Sequence, residues 1–276
     1  MTTRTIETGT DDLLAAVTDG VATITMNRPD RRNAMSGSMI GGLKLALADA
    51  ESSRDVRAVV LTGAGSAFCA GGDVKGFAEG AARSDGEGST FDEMVHRQRI
   101  DQRATSGALY QMPKPTIAAL GGPAAGAGLS LALACDLRIA VDSTVITTAF
   151  AKVGFSGDFG GSWFLARLIG QAKAKQLYYL SDRVDMPTAL ELGIVNWAVP
   201  ADRFDEEVQS LATRLASGPT IAYRYMKENI NRAMDGELIE AMDLEVTHHL
   251  HCGGTEDHVE ASKAFVEKRD PVFHGR

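Results

Sequence analysis

Cysteine is scarce in this chain: Cys69, Cys135 and Cys252 are the only three among 276 residues. Three is too few, and odd, for a disulfide framework, so free thiols and a reducing, cytoplasmic compartment are expected. No stretch approaches the roughly 20 consecutive apolar residues of a membrane helix. The first twelve residues are polar and threonine-rich, without the basic and apolar regions of a signal peptide, and no membrane partner is expected. Positive charge is short as well. With 28 Lys and Arg against 36 Asp and Glu, the formal net charge is −8, which argues against a nucleic-acid partner and leaves only a local basic patch for an anionic ligand. Two further absences concern chemistry. The small-residue loop around Gly65 lacks the Gly-Lys-Ser/Thr ending of a phosphate-binding P-loop. The run His248-His249-Leu250-His251-Cys252 has no recognisable ligand spacing, and neighbouring side chains on a helix diverge, so no metal is expected. Cys69 has no histidine near it in sequence to activate it and reads as a buried structural thiol.

What the chain does contain is two loops built of small residues. Residues 112–140 read as strand (116–120), a Gly121-Gly122-Pro123 turn, helix (126–135) and strand (137–141). Gly126, Ala127 and Gly128 leave the start of that helix almost bare, so a ligand oxygen could approach its free N–H groups, where the helix dipole also favours an oxyanion. Tight packing of helix on strand would call for the same residues. A second apolar run, 58–61, leads into the loop 62–73, which ends Phe68-Cys69-Ala70-Gly71-Gly72-Asp73. Around these, 13–17 and 21–26 with Asp19-Gly20 between them predict a hairpin. Ser36 is a plausible N-cap for a helix carrying Met39, Leu43, Leu47 and Ala50, and 94–110 has helical spacing. The polar, glycine-rich segment 76–90 reads as a mobile loop suited to cover a ligand. Helices are expected at 161–170, 171–180, 186–192, 204–215, 220–234, 238–250 and 255–267, with an apolar segment at 194–199. The length suits one α/β unit.

Three motifs stand in order: Asn27-Arg28-Pro29-Asp30-Arg31-Arg32-Asn33-Ala34, then Phe68–Asp73, then Gly122 through Asp136 with its Ala-Cys-Asp ending. Together they resemble the crotonase superfamily, the enoyl-CoA hydratase/isomerase family, from about residue 19 to the C-terminus. The resemblance implies an α/β fold with a crotonase-like ββα spiral core (1–203) and a C-terminal helical trimerisation region (204–276). It implies an acyl-CoA thioester as substrate, no permanently bound cofactor, and a homotrimer or hexamer. The N–H groups of Gly72 and Ala127 would form the oxyanion hole for the thioester carbonyl. Arg28, Arg31, Arg32, Ala34, Ala70, Gly71, Asp73 and Val74 would line the coenzyme A, while Phe265 and Lys268 would reach the nucleotide of a neighbouring subunit. Read without the resemblance, the basic loop is a solvated surface and Lys268 an ordinary exposed lysine.

Hydratases of that family carry two glutamates, at positions occupied here by Ser130 and Phe150. Eight residues beyond Phe150 stands Asp158, in Gly157-Asp158-Phe159-Gly160-Gly161-Ser162-Trp163, where dienoyl-CoA isomerases, a ring-epoxide isomerase and a chlorobenzoyl-CoA dehalogenase carry an aspartate. Asp158 is therefore the expected proton carrier, and Phe150, Phe155, Phe159 and Trp163 would raise its pKa if they surround it. Alternatively it caps the helix that follows. The resulting expectation is a double-bond isomerase. A hydratase, a thioester hydrolase or dehalogenase, and a non-catalytic acyl-CoA-binding relative are the rivals.

Overall fold

In a computed structural model of the chain, residues 3–73 and 90–276 are described. Val74 and nearly all of the segment 76–90, expected to cover the ligand, lie outside the described residues. Strands β1 (Thr3–Thr5), β2 (Leu13–Thr18) and β3 (Val21–Met26) pair antiparallel. Positive φ at Asp19 (49°) and Gly20 (84°) closes the predicted hairpin, with Leu13 opposite Met26. Helix α1 (Gly37–Ser52) then crosses to β4 (Ala58–Gly63), which lies parallel to β3. Ser36 caps α1 as expected, its hydroxyl accepting the Met39 N–H at 3.0 Å, and Met39, Leu43, Leu47 and Ala50 are the buried stripe.

The segment before the next strand is one helix with an irregularity: α2 (Phe91–Gln102), a π-helical turn (Arg103–Gly107) and α3 (Ala108–Gln111). Strand β5 (Thr116–Leu120), the short β6 (Ala124–Ala125), helix α4 (Ala127–Ala134) and β7 (Leu137–Val141) follow. The large sheet runs β1-β2-β3-β4-β5-β7-β10, parallel from β3 onward, with β10 (Trp197–Val199) at its edge. Strand β8 (Val145–Thr147) joins β6 and β9 (Val184–Asp185) in a small second sheet. The 194–199 segment is strand only from Trp197. Arg138 donates to Ile194 O at 2.6 Å and its N–H to Asn196 Oδ1 at 2.8 Å, which turns 194–196 out of the ladder.

Strand β5 is buried at every position because both faces of the parallel sheet are covered. One face packs on α1 and α4. The other packs on α8 (Phe204–Ala216), where Phe204, Leu211 and Ala212 meet Val60, Ile117 and Ala119. Between α4 and α8 in chain order come α5 (Gly161–Ile169), α6 (Gln171–Leu180) and α7 (Met186–Glu191), which join the core on the α1 and α4 face; the chain ends with α9 (Thr220–Ala233), α10 (Leu238–Gly253) and α11 (Glu256–Glu267). Among the described residues, no helix is long and apolar enough to cross a membrane.

Candidate active site

The two small-residue loops meet at the C-terminal ends of β4 and β5, where open parallel sheets place their ligand crevices. Cys69 pairs with Ala124 and donates its N–H to Pro123 O, while Ala125 N–H returns to Cys69 O at 2.9 Å. Gly71 (φ 94°) and Gly126 (φ 53°) face each other: a Cβ on Gly71 would stand 2.9 Å from Ala125 O and 3.5 Å from Ala127 N. Only glycine combines that backbone with that closeness. Met35 N–H donates to Gly71 O at 2.8 Å, a pairing that leaves the Gly72 N–H unused. Ala127, the first residue of α4, has no intrahelical acceptor for its own N–H. Among the described residues neither N–H has an acceptor, so two unused backbone donors lie on the two loops that pack together at Gly71 and Gly126.

Ser130 lies one turn along α4, fully buried, with its hydroxyl 3.3 Å from Gly126 O. Phe150, also buried, reaches back to within 3.8 Å of the Cβ position of Gly126 and stacks on Tyr178 at 5.8 Å between ring centroids. The two positions that the family pattern gives to glutamates thus carry no carboxylate, and the turn before α5 closes over Ser130.

Asp158 does not cap α5. The N-cap is Gly160 in a left-handed conformation, with no side-chain cap, and Asp158 contributes only its backbone carbonyl, which accepts the Gly161 N–H at 3.1 Å. Among the described residues its buried Oδ1 has no hydrogen-bond partner. Burial pushes this carboxyl up to about 6, because desolvation disfavours its charged form. The aromatic surround differs from the expected one. Phe159 is buried, but Phe155 is 59% exposed, and Trp163 turns away to Tyr110 and Phe164. Tyr178 takes their place, packed against Gly157, and its hydroxyl is pushed up by burial and then by the Asp158 charge. Gln102 holds the same loop by accepting the Phe159 N–H at 2.8 Å. Sequence reasoning found neither Tyr178 nor Gln102, because nothing in their spacing ties them to Asp158.

Of the basic loop, Arg28 turns inward, donating to Ala34 O at 2.6 Å and to Asp73 at 3.1 Å, with Asp12 at 3.6 Å. Arg31 and Arg32 are exposed, and Arg32 O accepts the Ala70 N–H, so the basic loop is tied to the Ala70–Asp73 loop. Phe265 and Lys268, at the end of α11, face solvent in the single chain. Cys69 is no nucleophile at neutral pH: burial pushes its thiol up to about 12, and its Sγ lies 3.0 Å from Asn33 O. His248 is committed to Asn229 and stacked on Tyr225; among the described residues no cluster of metal-binding side chains forms. A separate cavity of about 460 Å³ opens at the far end of α4, lined by Tyr110, Trp163, Arg167 and Lys227. Lys227 is paired there with Asp136 and Arg167 with Asp235, Arg138 donates to the Ile194 and Cys135 carbonyls, and the cavity contains neither free backbone donor.

A family model described as Enoyl-CoA hydratase/isomerase matches residues 16–276. The chain is 35% identical over 264 residues to the 1,2-epoxyphenylacetyl-CoA isomerase of Escherichia coli, covering 96% of this chain and 98% of that one. It is 32% identical over 250 residues to the short-chain-enoyl-CoA hydratase of Clostridium acetobutylicum, covering 90% and 92%. A crystal structure of an enoyl-CoA hydratase from Bacillus anthracis superposes with a TM-score of 0.87 at 32% identity, covering 96% of this chain and all of that one.

Proposed function

Because the chain belongs to the enoyl-CoA hydratase/isomerase family, we propose that it moves a carbon–carbon double bond in an acyl-CoA thioester, with Asp158 carrying the proton. The observation that supports this is Asp158: among the described residues it has an unpartnered buried oxygen, while Ser130 and Phe150 stand where hydratase glutamates would be. Ionised Asp158 removes the proton from the carbon beside the thioester. The resulting charge spreads onto the thioester oxygen, which the N–H groups of Gly72 and Ala127 receive. Protonated Asp158 then returns the proton two carbons further along, and the carboxylate is regenerated. A pKa near 6 suits both halves, since the group is mostly ionised at neutral pH yet gives its proton back readily. Syn addition of water asks for a held, deprotonated water and a proton donor at once, a demand that one carboxylate meets poorly.

Coenzyme A enters as part of the substrate. Arg31 and Arg32 flank its nucleotide, and Arg28, by fixing Ala34 and Asp73, shapes the loop through Ala70 and Gly71. The unpaired cysteines suit a cytoplasmic enzyme. The deciding measurement uses 3-enoyl-CoA and 2-enoyl-CoA of matched chain length. Conversion of the first to the 2-enoyl isomer is expected to outrun hydration of the second; rapid hydration with no detectable isomerisation would restore the hydratase.

The region from residue 204 onward is the second part of the proposal. Helices α9 to α11 expose Ile230 (66%), Leu238 (72%), Phe265 (85%) and Val266 (80%), apolar side chains that an assembly would cover. They associate three chains, or two sets of three, and place Phe265 and Lys268 beside the neighbour's coenzyme A nucleotide. Light scattering should report three or six chains at micromolar concentration. Lys268→Ala should raise KM for the thioester about two- to five-fold, the scale of one exposed charge contact. A monomer rejects the assembly, and an unchanged KM rejects the contact.

A further inference from the structure

The cavity at the far end of α4 takes no part in the proposed chemistry, yet it has the size and lining of a binding site. Its volume of about 460 Å³ lies within the roughly 300–1,000 Å³ of small-molecule sites, and Leu133, Trp163, Phe164, Leu168, Ile230 and Met234 make its walls mostly apolar. Its charge is unbalanced. Three cations line it, Arg138, Arg167 and Lys227, against one carboxylate, Asp136. Lys227 answers Asp136 at 2.9 Å, and Arg167 is held at 2.6 Å by Asp235, which is 57% exposed and outside the lining. Three cations against two carboxylates leave one positive charge in excess, and Arg138 carries it. Its guanidinium is buried and, among the described residues, donates only to the Ile194, Cys135 and Asp136 backbone carbonyls. Burial pushes its pKa down, the direction expected where no counter-charge meets a desolvated cation. Buried charges are ordinarily paired, so in a chain of net charge −8 this is a local reversal that an anion would complete.

Donors for that anion are in place on the same wall. Tyr110 stands edge-on to Trp163, with 5.1 Å between ring centroids, and its hydroxyl has no hydrogen-bond partner among the described residues. Burial, then the Asp235 charge, pushes that hydroxyl up, so it is a donor at neutral pH. The Arg167 guanidinium lies 3.6 Å over the Trp163 ring and meets Asp235 through Nη2 alone, which leaves Nε and Nη1 uncommitted among the described residues. We infer that the cavity is a second ligand site, one that takes an apolar carboxylic acid in its ionised form. The hydrocarbon body lies against α5 and α9, and the carboxylate is received by the Tyr110 hydroxyl and Arg167. A neutral hydrocarbon would leave the excess charge unanswered, and an amine would add to it. Because the cavity contains none of Gly72, Ala127 and Asp158, the inference stands apart from the reaction proposed there.

The test uses octanoate and 3-phenylpropanoate as probes, each beside its uncharged amide. Calorimetry on the full chain gives Kd, and in a Trp197→Phe background Trp163 is the single tryptophan, so its emission reports on the cavity. One carboxylate or both should shift that emission and bind about ten-fold or more tightly than the matching amide. Arg167→Gln should raise the carboxylate Kd about ten-fold and leave the amide unchanged, and Tyr110→Phe should raise it about two- to ten-fold. Asp235→Asn, which frees the same guanidinium, should act in the opposite direction and lower Kd about two- to five-fold. That pair of opposite signs is specific to a carboxylate on Arg167, since apolar binding alone would move with neither variant. A carboxylate that binds no more tightly than its amide, or a Kd that Arg167→Gln and Asp235→Asn both leave unchanged, overturns the site. So does an absence of binding at millimolar concentration. Full displacement of the carboxylate by an acyl-CoA thioester would place it in the catalytic cleft and overturn the site as well, with the acyl-CoA reading left standing.

Discussion

Asp158→Asn should lower turnover by about 10²–10⁴-fold, the usual loss when a general acid or base is removed, while thioester binding persists. Asparagine keeps the size of the side chain but cannot carry a proton at neutral pH. No cap is lost, because α5 is begun by Gly160 and by the backbone carbonyl of residue 158. The wild-type pH profile should rise through about 6 as the base forms, and that limb should vanish in the variant. Stability should respond in the opposite sense to activity. The folded-state pKa of Asp158 lies above the unfolded value, so between about pH 4 and pH 6 the folded state binds the proton more tightly, and its advantage falls as pH rises through that window. Above it, the wild type carries a desolvated charge that the asparagine variant lacks. The variant's Tm should therefore exceed that of the wild type at pH 8, with the gap closing at pH 4. Wild-type turnover in the variant would make Asp158 a bystander.

Gly128→Ala should cost about 10²–10³-fold in kcat through the oxyanion site and about 1–3 kcal/mol of stability through overpacking. A Cβ on Gly128 would stand 2.5 Å from Cys69 O and 2.7 Å from Cys69 Sγ. Cys69 has little freedom to retreat: its carbonyl accepts the Ala125 N–H, its N–H donates to Pro123 O, and its thiol lies against Asn33 O. The strain is relieved by moving the Cys69–Asp73 loop away from α4, which separates the Gly72 and Ala127 donors. Gly37→Ala is the control. Gly37 has nothing within 4 Å of its Cβ position and sits at the start of α1, so Tm and kcat should hold. A Gly128→Ala protein with lowered Tm but unaltered kcat would mean that the spacing of the loops does not set the rate.

Much of this arrangement is legible from local sequence, and the reasons are specific. The Asp19-Gly20 hairpin, the Ser36 cap and the bare start of α4 each depend on residues within a few positions of one another. The facing of the two loops was legible only through the order of three motifs, since pairs such as Cys69 and Ala124 are joined by the sheet and not by spacing. The surroundings of Asp158 were least legible. Periodicity places aromatic residues near it in sequence, but the Gly157 and Gly160 backbone turns Phe155 outward, and Tyr178 arrives from another helix. The choice between cap and free carboxylate likewise depends on a left-handed Gly160, a conformation that an isolated glycine permits without requiring.

The π-helical turn at Arg103–Gly107 has a consequence for how the protein tolerates changes in length. A wide turn accommodates one residue more than an α-helical ladder would. Excising one residue there would restore the ladder and swing α2 by about 100° relative to α3, the rotation of a single helical residue. Asp101 would leave Lys44, and Gln102 would leave the Phe159 N–H. A deletion distant in the chain from every proposed catalytic group would thereby free the Asp158 loop and shift the acidity of its carboxyl, with no catalytic residue replaced.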